Sequence, residues 1–290
     1  MAMKSQSNAR PHLACELGAD YVVAARSDRG AISVSGQELA PGILLPNLTA
    51  ANLGDFAAVR NAVETAMAGV AERSRDVIAI VPDSAVRVTL LDFDALPEKR
   101  QEAESMVRFR LKKSLPFDVE QAAVSYDVRR QNGSVKVVAV VVLRSILEEY
   151  ESVFLDAGFN PGIVLPSMLS ALGCVQADEP TMVIKVDQGA TTISIVNGNQ
   201  LLLMRTLENA PGALVATQLA EDIYPSLVFF EDNYFLQVRN ILVSGRAVAE
   251  AVGPALEAQT GAKVSDLSPE NGTGDVPGAL LAGVMGALKS

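Results

Sequence analysis

The sequence predicts an α/β fold made of two related halves, with a small α+β subdomain inserted between them. Three observations support this prediction. A three-stranded antiparallel unit occurs twice, the same order of elements follows each copy, and a separate strand, helix, hairpin and helix lie between the copies. The length of 290 residues, 49% of them hydrophobic, allows one large core or two domains.

The repeated unit is a meander of three short strands. Its strands are predicted at residues 12–17, 21–26 and 31–35 in the first copy, and at residues 181–186, 192–196 and 200–206 in the second. Each first strand ends in an acidic residue, one spacer and a glycine, namely Glu16 with Gly18 and Asp187 with Gly189. Two related halves are therefore predicted. Because acid-x-Gly is also common turn chemistry, two unrelated hairpins remain the alternative.

A helix and a strand follow each meander. In the first half, apolar residues at helical spacing predict a helix over residues 53–72, followed by a strand at 77–81. In the second half, a helix over residues 212–235 precedes a strand at 240–244 and a further helix at 247–260. The second half therefore repeats the order of the first.

A different unit lies between the halves. Its predicted elements are a strand at 86–93, a helix at 97–113, strands at 123–130 and 135–143 joined across Gln131, Asn132 and Gly133, and a helix at 146–157 that ends at Gly158. We therefore divide the chain into three parts. They are a first half of residues 1–83 with 163–178, an inserted subdomain of residues 84–162, and a second half of residues 179–290.

The charge and the rarity of reactive side chains exclude several classes of function. Asp and Glu number 34 against 24 Lys and Arg, and the formal net charge of −10 disfavours a nucleic-acid partner. The two cysteines, Cys15 and Cys174, are too few for a disulfide framework or a zinc site. The single histidine, His12, precedes the first strand. Metal-ligand spacings, Walker-type loops and Ser/His/Asp patterns are missing from the sequence, so we expect no metal site and no catalytic residue.

Both ends of the chain favour a cytosolic protein. The polar segment 1–11 is not followed by the apolar run of a signal peptide. The apolar stretch 277–288 has only about half of the length that a bilayer span requires. We therefore expect membrane contact only through a partner.

Several segments together resemble a known superfamily. They are the two acid-x-Gly turns, the inserted unit, and residues 81–94, 96–98, 107–118, 157–159, 187–192, 226–230 and 244–245. In these segments the chain resembles the actin, sugar kinase and Hsp70 superfamily, whose members have a duplicated, ribonuclease H-like ATPase fold. Within it, the chain is similar to the PilM family of type IV pilus assembly proteins, relatives of the division protein FtsA. The resemblance implies an actin-like fold with that family's inserted subdomain and a reduced second half.

The resemblance also implies a nucleotide, ATP with Mg²⁺, between the halves. In the superfamily, the two acid-x-Gly turns hold the phosphates through backbone N–H groups, and the acids reach the metal or its water. The residues carried over to this chain are Glu16 and Gly18 in the first phosphate loop, Asp187, Gly189, Thr191 and Thr192 in the second, and Gly245 beside the adenosine.

This chain departs from the superfamily's nucleotide site in several positions. The family usually has an aspartate, hydroxyl residues and a lysine in the first loop, a second glycine in the adenosine motif, and an extra subdomain over the nucleotide. The corresponding positions here are Glu16, Ala19, Asp20, Val23, Arg246 and the short stretch 205–240. These departures predict weak, degenerate or absent ATP binding and at most very slow hydrolysis. The alternative is that Asp187 and Thr192 only cap a hairpin.

The helix predicted at residues 97–113 has a basic end. Relatives in the PilM family hold a short peptide from the cytosolic tail of the membrane protein PilN, in the cleft between the inserted subdomain and the first half. By this resemblance, the residues that would bind the peptide are Arg108, Arg110, Lys112, Pro116 and Phe117. The alternative is a solvated helix whose cations only complement its dipole.

We therefore expect a cytoplasmic scaffold at the inner face of the bacterial inner membrane. It would bind a PilN-like tail and other proteins of the type IV pilus assembly platform. One alternative is a small ATP-dependent kinase or ATPase of the same superfamily, which would need a catalytic base and two complete phosphate loops. The other is a cytoplasmic component of type II secretion of the GspL kind. The sequence leaves open whether nucleotide binds and whether the protein self-associates.

Overall fold

Two sheets and a smaller third sheet organise the molecule. The computed structural model describes residues 10–131, 134–209, 212–267, 272–273 and 276–289. Its strands are β1 (Leu13–Leu17), β2 (Tyr21–Asp28), β3 (Ala31–Glu38), β4 (Asp76–Val81), β5 (Arg87–Phe93), β6 (Ala122–Gln131), β7 (Ser134–Leu143), β8 (Asn160–Pro166), β9 (Thr181–Val186), β10 (Ala190–Asn197), β11 (Gln200–Glu208), β12 (Asn240–Gly245), β13 (Lys263–Asp266) and β14 (Gly272–Thr273). Its helices are α1 (Phe56–Ala68), α2 (Arg100–Leu111), α3 (Arg144–Asp156), α4 (Ser167–Ala171), α5 (Ala216–Tyr234), α6 (Ala249–Thr260) and α7 (Ala282–Lys289).

The two larger sheets have matching topology. The strand order is β14-β3-β2-β1-β4-β8 in the first sheet and β11-β10-β9-β12-β13 in the second. In each sheet an antiparallel meander is followed by two parallel strands, since β4 pairs with β1 and β8, and β12 pairs with β9 and β13. The predicted duplication of an α/β unit is confirmed.

The central strands of both sheets are buried along their whole length. Every residue of β1 and of β9 is buried, as expected for strands with elements packed on both faces. Two of these buried residues, Glu16 and Lys185, are charged. Because a buried charge is costly without a partner, these two residues indicate where a functional site lies in the fold.

Helix α1 is shorter than the predicted range 53–72. It begins after Asp55, whose carboxylate accepts a hydrogen bond from the backbone N–H of Ala58 and caps the helix. Beyond its last residue, the N–H groups of Val70 and Ala71 both donate to the carbonyl of Met67. Val70 therefore packs into the core from a turn rather than from the helix.

The inserted subdomain contains a three-stranded antiparallel sheet in the order β5-β7-β6. Helix α2 covers one face of it and buries Ala103, Val107 and Leu111 against alternate residues of β7, including Val137 and Val141. The predicted turn at Asn132 and Gly133 lies outside the described residues. The edge strands of this sheet are β5 and β6.

Helix α3 differs from the sequence analysis in its packing. The sequence order predicts that α3 belongs to the inserted subdomain, but its buried residues Ile146, Tyr150, Val153 and Phe154 belong to the core of the first sheet. The Tyr150 hydroxyl also donates a hydrogen bond of 2.8 Å to the Asn52 side chain of the first half. The helix ends as predicted, with Gly158 at a positive φ of 83°. The domain boundaries themselves stay a prediction.

Several elements were not predicted from the sequence, among them β8, α4, β13 and α7. Helix α7 packs against the first half, where Val284 and Met285 contact a cluster that includes Ile78 and Ile80. It approaches α4 closely, since a Cβ at Gly286 would lie 1.9 Å from the carbonyl oxygen of Ser170. The end of the second half thus returns to the first. Among the described residues, no helix has the length and apolar character needed to cross a membrane.

Candidate functional site

The two acid-x-Gly turns meet where the two halves face each other. Glu16 is at the end of β1 in the first half, and Asp187 directly follows β9 in the second half. Because β1 and β9 hold equivalent central positions in the two sheets, their carboxyl ends bring the two acids together. The predicted meeting of Glu16 and Asp187 therefore occurs, but a third charged residue lies between them.

Lys185 connects the two acids. Its Nζ atom lies 3.2 Å from Oε1 of Glu16, and 2.7 Å and 2.9 Å from the two carboxylate oxygens of Asp187. It also donates a hydrogen bond of 3.1 Å to the Tyr21 hydroxyl. The side chains of Lys185 and Glu16 are each only 1% exposed. We call Glu16, Tyr21, Lys185 and Asp187 the inter-half ion cluster.

Tyr21 and Ser167 make further hydrogen bonds to the acids of this cluster. The Tyr21 hydroxyl lies 3.3 Å from Oε1 of Glu16 and 3.2 Å from Oδ1 of Asp187. The Ser167 hydroxyl donates to Oε1 of Glu16 at 2.5 Å. The cluster therefore joins residues of both halves through direct contacts.

The charges in the cluster determine its protonation state. Burial lowers the pKa of Lys185, but Asp187 and Glu16, with smaller contributions from Tyr21 and Asp83, outweigh burial and raise this pKa well above its ordinary value. Burial, followed by the carboxylates of Asp187 and Glu16, raises the pKa of Tyr21 well above the usual range. The lysine therefore stays an ammonium ion and the tyrosine stays a neutral phenol.

Gly18 has a structural reason to be glycine. A Cβ atom at this position would lie 2.4 Å from the ring of Tyr21. The backbone N–H of Gly18 donates to the Tyr21 carbonyl at 2.8 Å, so this amide is used within the turn. The tyrosine ring thus occupies the space over the first acid-x-Gly turn.

The second turn also uses its polar groups internally. The Thr191 hydroxyl donates to the Asn209 side chain at 2.7 Å, and Asn209 donates to the carbonyl of Asp187 at 2.8 Å. Thr192 lies 3.3 Å, oxygen to oxygen, from the hydroxyl of Thr206. The carbonyl of Gly189 accepts a hydrogen bond from the Asn209 N–H. These contacts resemble a capped hairpin, the alternative that the sequence analysis left open.

Gly245 lies against the end of β9. Its φ of +76° is left-handed, and a Cβ atom there would lie 2.3 Å from the carbonyl oxygen of Val186. The next residue, Arg246, forms an ion pair with Asp20 of the first half. The glycine is required by strand packing, and the arginine adds a second ionic contact between the halves.

The residues of this site do not fit ATP with Mg²⁺. The two acids that could reach a cation, Glu16 and Asp187, both bind the Lys185 ammonium. Within the described parts of the chain, no group of three or more His, Cys, Asp or Glu side chains could hold a metal ion. The other oxygen of Glu16 faces α7, since a Cβ at Gly283 would lie 1.9 Å from it.

Asp83 is a buried acid to which the sequence analysis gave no role. It follows β4 in a short turn, is 2% exposed, and accepts the Met168 N–H with both oxygens at 3.0 Å and 3.1 Å. Burial raises the pKa of Asp83 to about 7, although the charge of Lys185 and the Met168 hydrogen bond oppose this change. Its segment, 81–94, is one of those that carry the resemblance, but no local pattern indicated that this acid is buried.

Two of the grooves that border the inserted subdomain contain candidate binding residues. The larger, about 610 Å³, lies between the edge strands β5 and β11, with Asp83, Phe229 and Tyr234 also in its wall. A smaller cleft of about 150 Å³ lies between the inserted sheet and the first half. Its lining is mainly apolar and includes Ser125, Val140, Val142, Tyr150, Leu165 and Pro166.

The five residues predicted to bind a peptide lie elsewhere. Arg108 pairs with Glu104 at 3.0 Å and donates to the carbonyl of Val119, while Arg110 stacks on the ring of Phe93 at 5.8 Å. Lys112 and Pro116 are exposed, and Phe117 is partly buried against the core under α2. Because α2 covers one face of the inserted sheet and the small cleft opens on the other, these side chains do not line that cleft.

The repeated sheets and the inserted unit define an actin-like α/β fold. A protein from Bacteroides thetaiotaomicron, described as having an actin-like ATPase fold and unknown function, aligns with a TM-score of 0.56 and 12% identity over 96% of this chain and 95% of that one. The fold class predicted from the sequence, including its inserted subdomain, is confirmed.

Within this class, the structure matches PilM. The solved PilM-PilN type IV pilus biogenesis complex aligns with a TM-score of 0.82, covering 97% of this chain and 98% of that one, at 15% identity. The cytoplasmic domain of EpsL, an inner-membrane component of the type II secretion system of Vibrio cholerae, aligns with a TM-score of 0.53 and 13% identity over 95% and 92%. No protein-family model and no curated protein sequence match the chain. At these identities, the likeness shows the fold.

Proposed function

We propose that this protein is a cytoplasmic scaffold of a type IV pilus assembly platform, held at the inner membrane by the tail of a PilN-like protein. The observation that carries this proposal is the match to PilM, with a TM-score of 0.82 over 97% of the chain. The match extends over both halves and the inserted subdomain. The Bacteroides protein and the EpsL domain cover nearly as much of the chain, but at TM-scores of 0.56 and 0.53. The higher TM-score therefore makes the match to PilM more specific than a shared actin-like fold.

The inter-half ion cluster supports a role in attachment rather than in nucleotide turnover. Each side chain that the resemblance would assign to phosphate or metal binding has a partner within the protein. An enzyme needs such groups free to bind the reacting atoms. We therefore expect no measurable phosphate release from ATP.

We place the tail peptide in the small cleft between the inserted sheet and the first half. The strands nearest this cleft, β6 and β8, are edge strands of their sheets, so each offers backbone groups to an extended segment. The apolar side chains of Val140, Val142 and Leu165 offer pockets for alternate side chains of the peptide. Binding of this kind is modest in affinity, and membrane tethering raises it through effective concentration.

A calorimetric titration with the PilN-like tail peptide tests this proposal. We expect a Kd of roughly 10 μM to 1 mM for the unaltered protein. Ser125→Trp fills the cleft from β6 and should weaken binding at least about tenfold. Arg130→Trp is the matched control, because this exposed residue lies on the same strand and faces the α2 side.

A second variant tests the role predicted for α2. Arg108→Ala combined with Lys112→Ala removes two cations from the basic end of the helix. If this variant loses binding and Ser125→Trp does not, the peptide lies along α2 and the cleft is the wrong site. If the unaltered protein gives no heat at millimolar peptide, the proposed scaffold role fails.

Specific observations favour two other candidate functions. The similarity to the EpsL cytoplasmic domain favours a GspL-like role in type II secretion. Asp83, whose pKa is raised to about 7 in the wall of the larger groove, is the residue that a kinase of this superfamily could use as a base. Phosphate release that is lost in Asp83→Asn would favour the kinase. Binding of a type II secretion partner in place of the PilN-like peptide would favour the secretion role.

A further inference from the structure

A buried lysine lies between the two acid-x-Gly turns, where the halves meet. We propose that the Lys185 ammonium is a built-in cation that holds the halves together and fills the place that a divalent cation would otherwise take between Glu16 and Asp187. The contacts of Lys185 with Glu16 and Asp187 then form a permanent ionic link between the halves, which we call the interlock. The crevice between the halves is then not a ligand site. This inference goes beyond the scaffold role and does not use the peptide partner, so a failed peptide titration leaves it standing.

The two halves contribute unequally to this interlock. Glu16 and Asp187 hold equivalent places in the repeat, each two residues before the glycine of its turn. The position two residues before the acid is Lys185 in the second half and the buried Ala14 in the first. A single ammonium ion therefore serves both carboxylates, and it reaches across from the second half to the first.

The contact distances allow one cation to serve both halves. The ammonium lies within 3.2 Å of a carboxylate oxygen from each half and also donates to the Tyr21 hydroxyl. Ca²⁺ binds carboxylate oxygens at roughly 2.3–2.6 Å, so a modest contraction would fit this ion in place of the ammonium. With Lys185 present, its ammonium group occupies that place. Its positive charge already balances the negative charge of one of the two carboxylates.

The surroundings also disfavour a phosphate at this place. The N–H groups of Gly18 and Asp187 donate to the carbonyls of Tyr21 and Ala190, so neither amide is directed at a ligand. A phosphate would meet two carboxylates and only one ammonium. Among the described atoms, Oε2 of Glu16 is buried without a hydrogen-bond partner, which shows that this acid has more acceptor capacity than the lysine uses.

Removing the lysine charge tests the interlock. Lys185→Met keeps the apolar stem but leaves the buried Glu16 and the partly exposed Asp187 without their cation, and we expect the Tm to fall by roughly 10 °C. Lys136→Met is the matched control, since Lys136 also pairs with an acid, Asp92, but is 36% exposed. The control should change the Tm by about 2 °C or less. Equal melting temperatures for Lys185→Met and the unaltered protein would overturn the proposal.

Divalent cations provide the second measurement. Lys185→Ala leaves room between the acids, so Ca²⁺ or Mg²⁺ at about 5 mM should raise its Tm by several degrees, while the unaltered protein shows no such change. A rise for the unaltered protein with divalent cation or with Mg-ATP would contradict a filled site. If Lys185→Ala folds but its Tm does not rise with Ca²⁺ or Mg²⁺, the proposal that the ammonium takes the place of a divalent cation is wrong.

A third variant covers the case in which the single variants do not fold. Lys185→Met combined with Glu16→Gln and Asp187→Asn removes all three charges while keeping their shapes. If uncompensated charge causes the lower Tm of Lys185→Met, this triple variant should fold and have a higher Tm than Lys185→Met. A triple variant that is no more stable than the single one would overturn the proposal, because packing would then explain the loss.

Discussion

At the scale of single residues, the buried groups at the meeting of the halves explain positions that look like a ligand site in the sequence. Gly18 leaves room for the ring of Tyr21, and Gly245 leaves room for the carbonyl of Val186. Asp83 is held by the Met168 N–H. Each residue type is therefore accounted for by a contact within the protein, and each contact can be tested by substitution.

The first prediction at this scale concerns Gly245. Gly245→Ala places a Cβ in a left-handed backbone and also against the Val186 carbonyl. We expect this variant to lower the free energy of unfolding by about 3 kcal/mol or more. Gly261→Ala is the control, because Gly261 also has a positive φ, 71°, but a Cβ added there would meet no atom within 4 Å. The Gly261→Ala variant should lower the free energy of unfolding by only about 1–2 kcal/mol. Equal losses in urea denaturation would contradict the close contact.

The second prediction concerns the pH dependence of Asp83. The folded-state pKa of about 7 lies above the ordinary value of 3.8, so the folded state binds the proton more tightly. The contribution of Asp83 to stability is then greatest at low pH and falls as pH rises from 3.8 to about 7, by up to about 1.4 kcal/mol per pH unit.

Asp83→Asn provides the comparison, because the amide oxygen still accepts the Met168 N–H but cannot ionise. Denaturation between about pH 5 and pH 8 should show the unaltered protein losing stability relative to Asp83→Asn as pH rises. Parallel curves for the two proteins would show that Asp83 does not titrate in this range.

At the scale of elements, helices α3 and α7 determine how the parts are joined. Helix α3 follows strand β7 of the inserted subdomain, and α7 comes after the strands of the second sheet. Both helices nevertheless bury their apolar residues in the first half. Helix α7 carries the glycines Gly283 and Gly286, which allow close approach to Glu16 and to α4. This helix therefore packs on the first half, although it lies within residues 179–290, the range predicted for the second half.

The prediction at this scale compares two methionines. Met285 in α7 is fully buried, and Met285→Ala should cost about 2–5 kcal/mol. Met106 in α2 is 39% exposed, and Met106→Ala should cost less than about 1 kcal/mol. Chemical denaturation measures both. Similar costs for the two variants would mean that α7 does not pack against the first half in solution.

At the scale of the whole molecule, the two halves are joined by charge and by apolar packing. The inter-half ion cluster and the pair of Arg246 with Asp20 connect them through charge. Apolar packing also connects them, because Ala282 of α7 and Met168 of α4 share a buried cluster with Val183 of β9. The inserted sheet lies beside both, with a groove on each side. These contacts favour a molecule in which neither half moves independently.

We therefore expect the protein to unfold in one cooperative transition. Scanning calorimetry and far-UV circular dichroism should give the same midpoint, because losing one half exposes the buried charges and apolar residues of the other. Because the chain contains no tryptophan, tryptophan fluorescence cannot follow its unfolding, and far-UV circular dichroism is used instead. Two separate calorimetric peaks would show that the halves are stable on their own.

Local sequence patterns were enough to predict the repeat, the inserted unit and the turns of the two meanders. Strand alternation, acid-x-Gly turns and the glycine that ends α3 are local signals, and they predicted the matching topology of the two sheets. The surfaces that α3 and α7 cover, and the charges that meet, became visible only in the folded molecule. The superfamily pattern predicts a lysine at position 23, whereas the cation beside Glu16 is Lys185, far along the chain. Local patterns report periodicity and turn chemistry, but the partner of a buried charge is set by long-range packing.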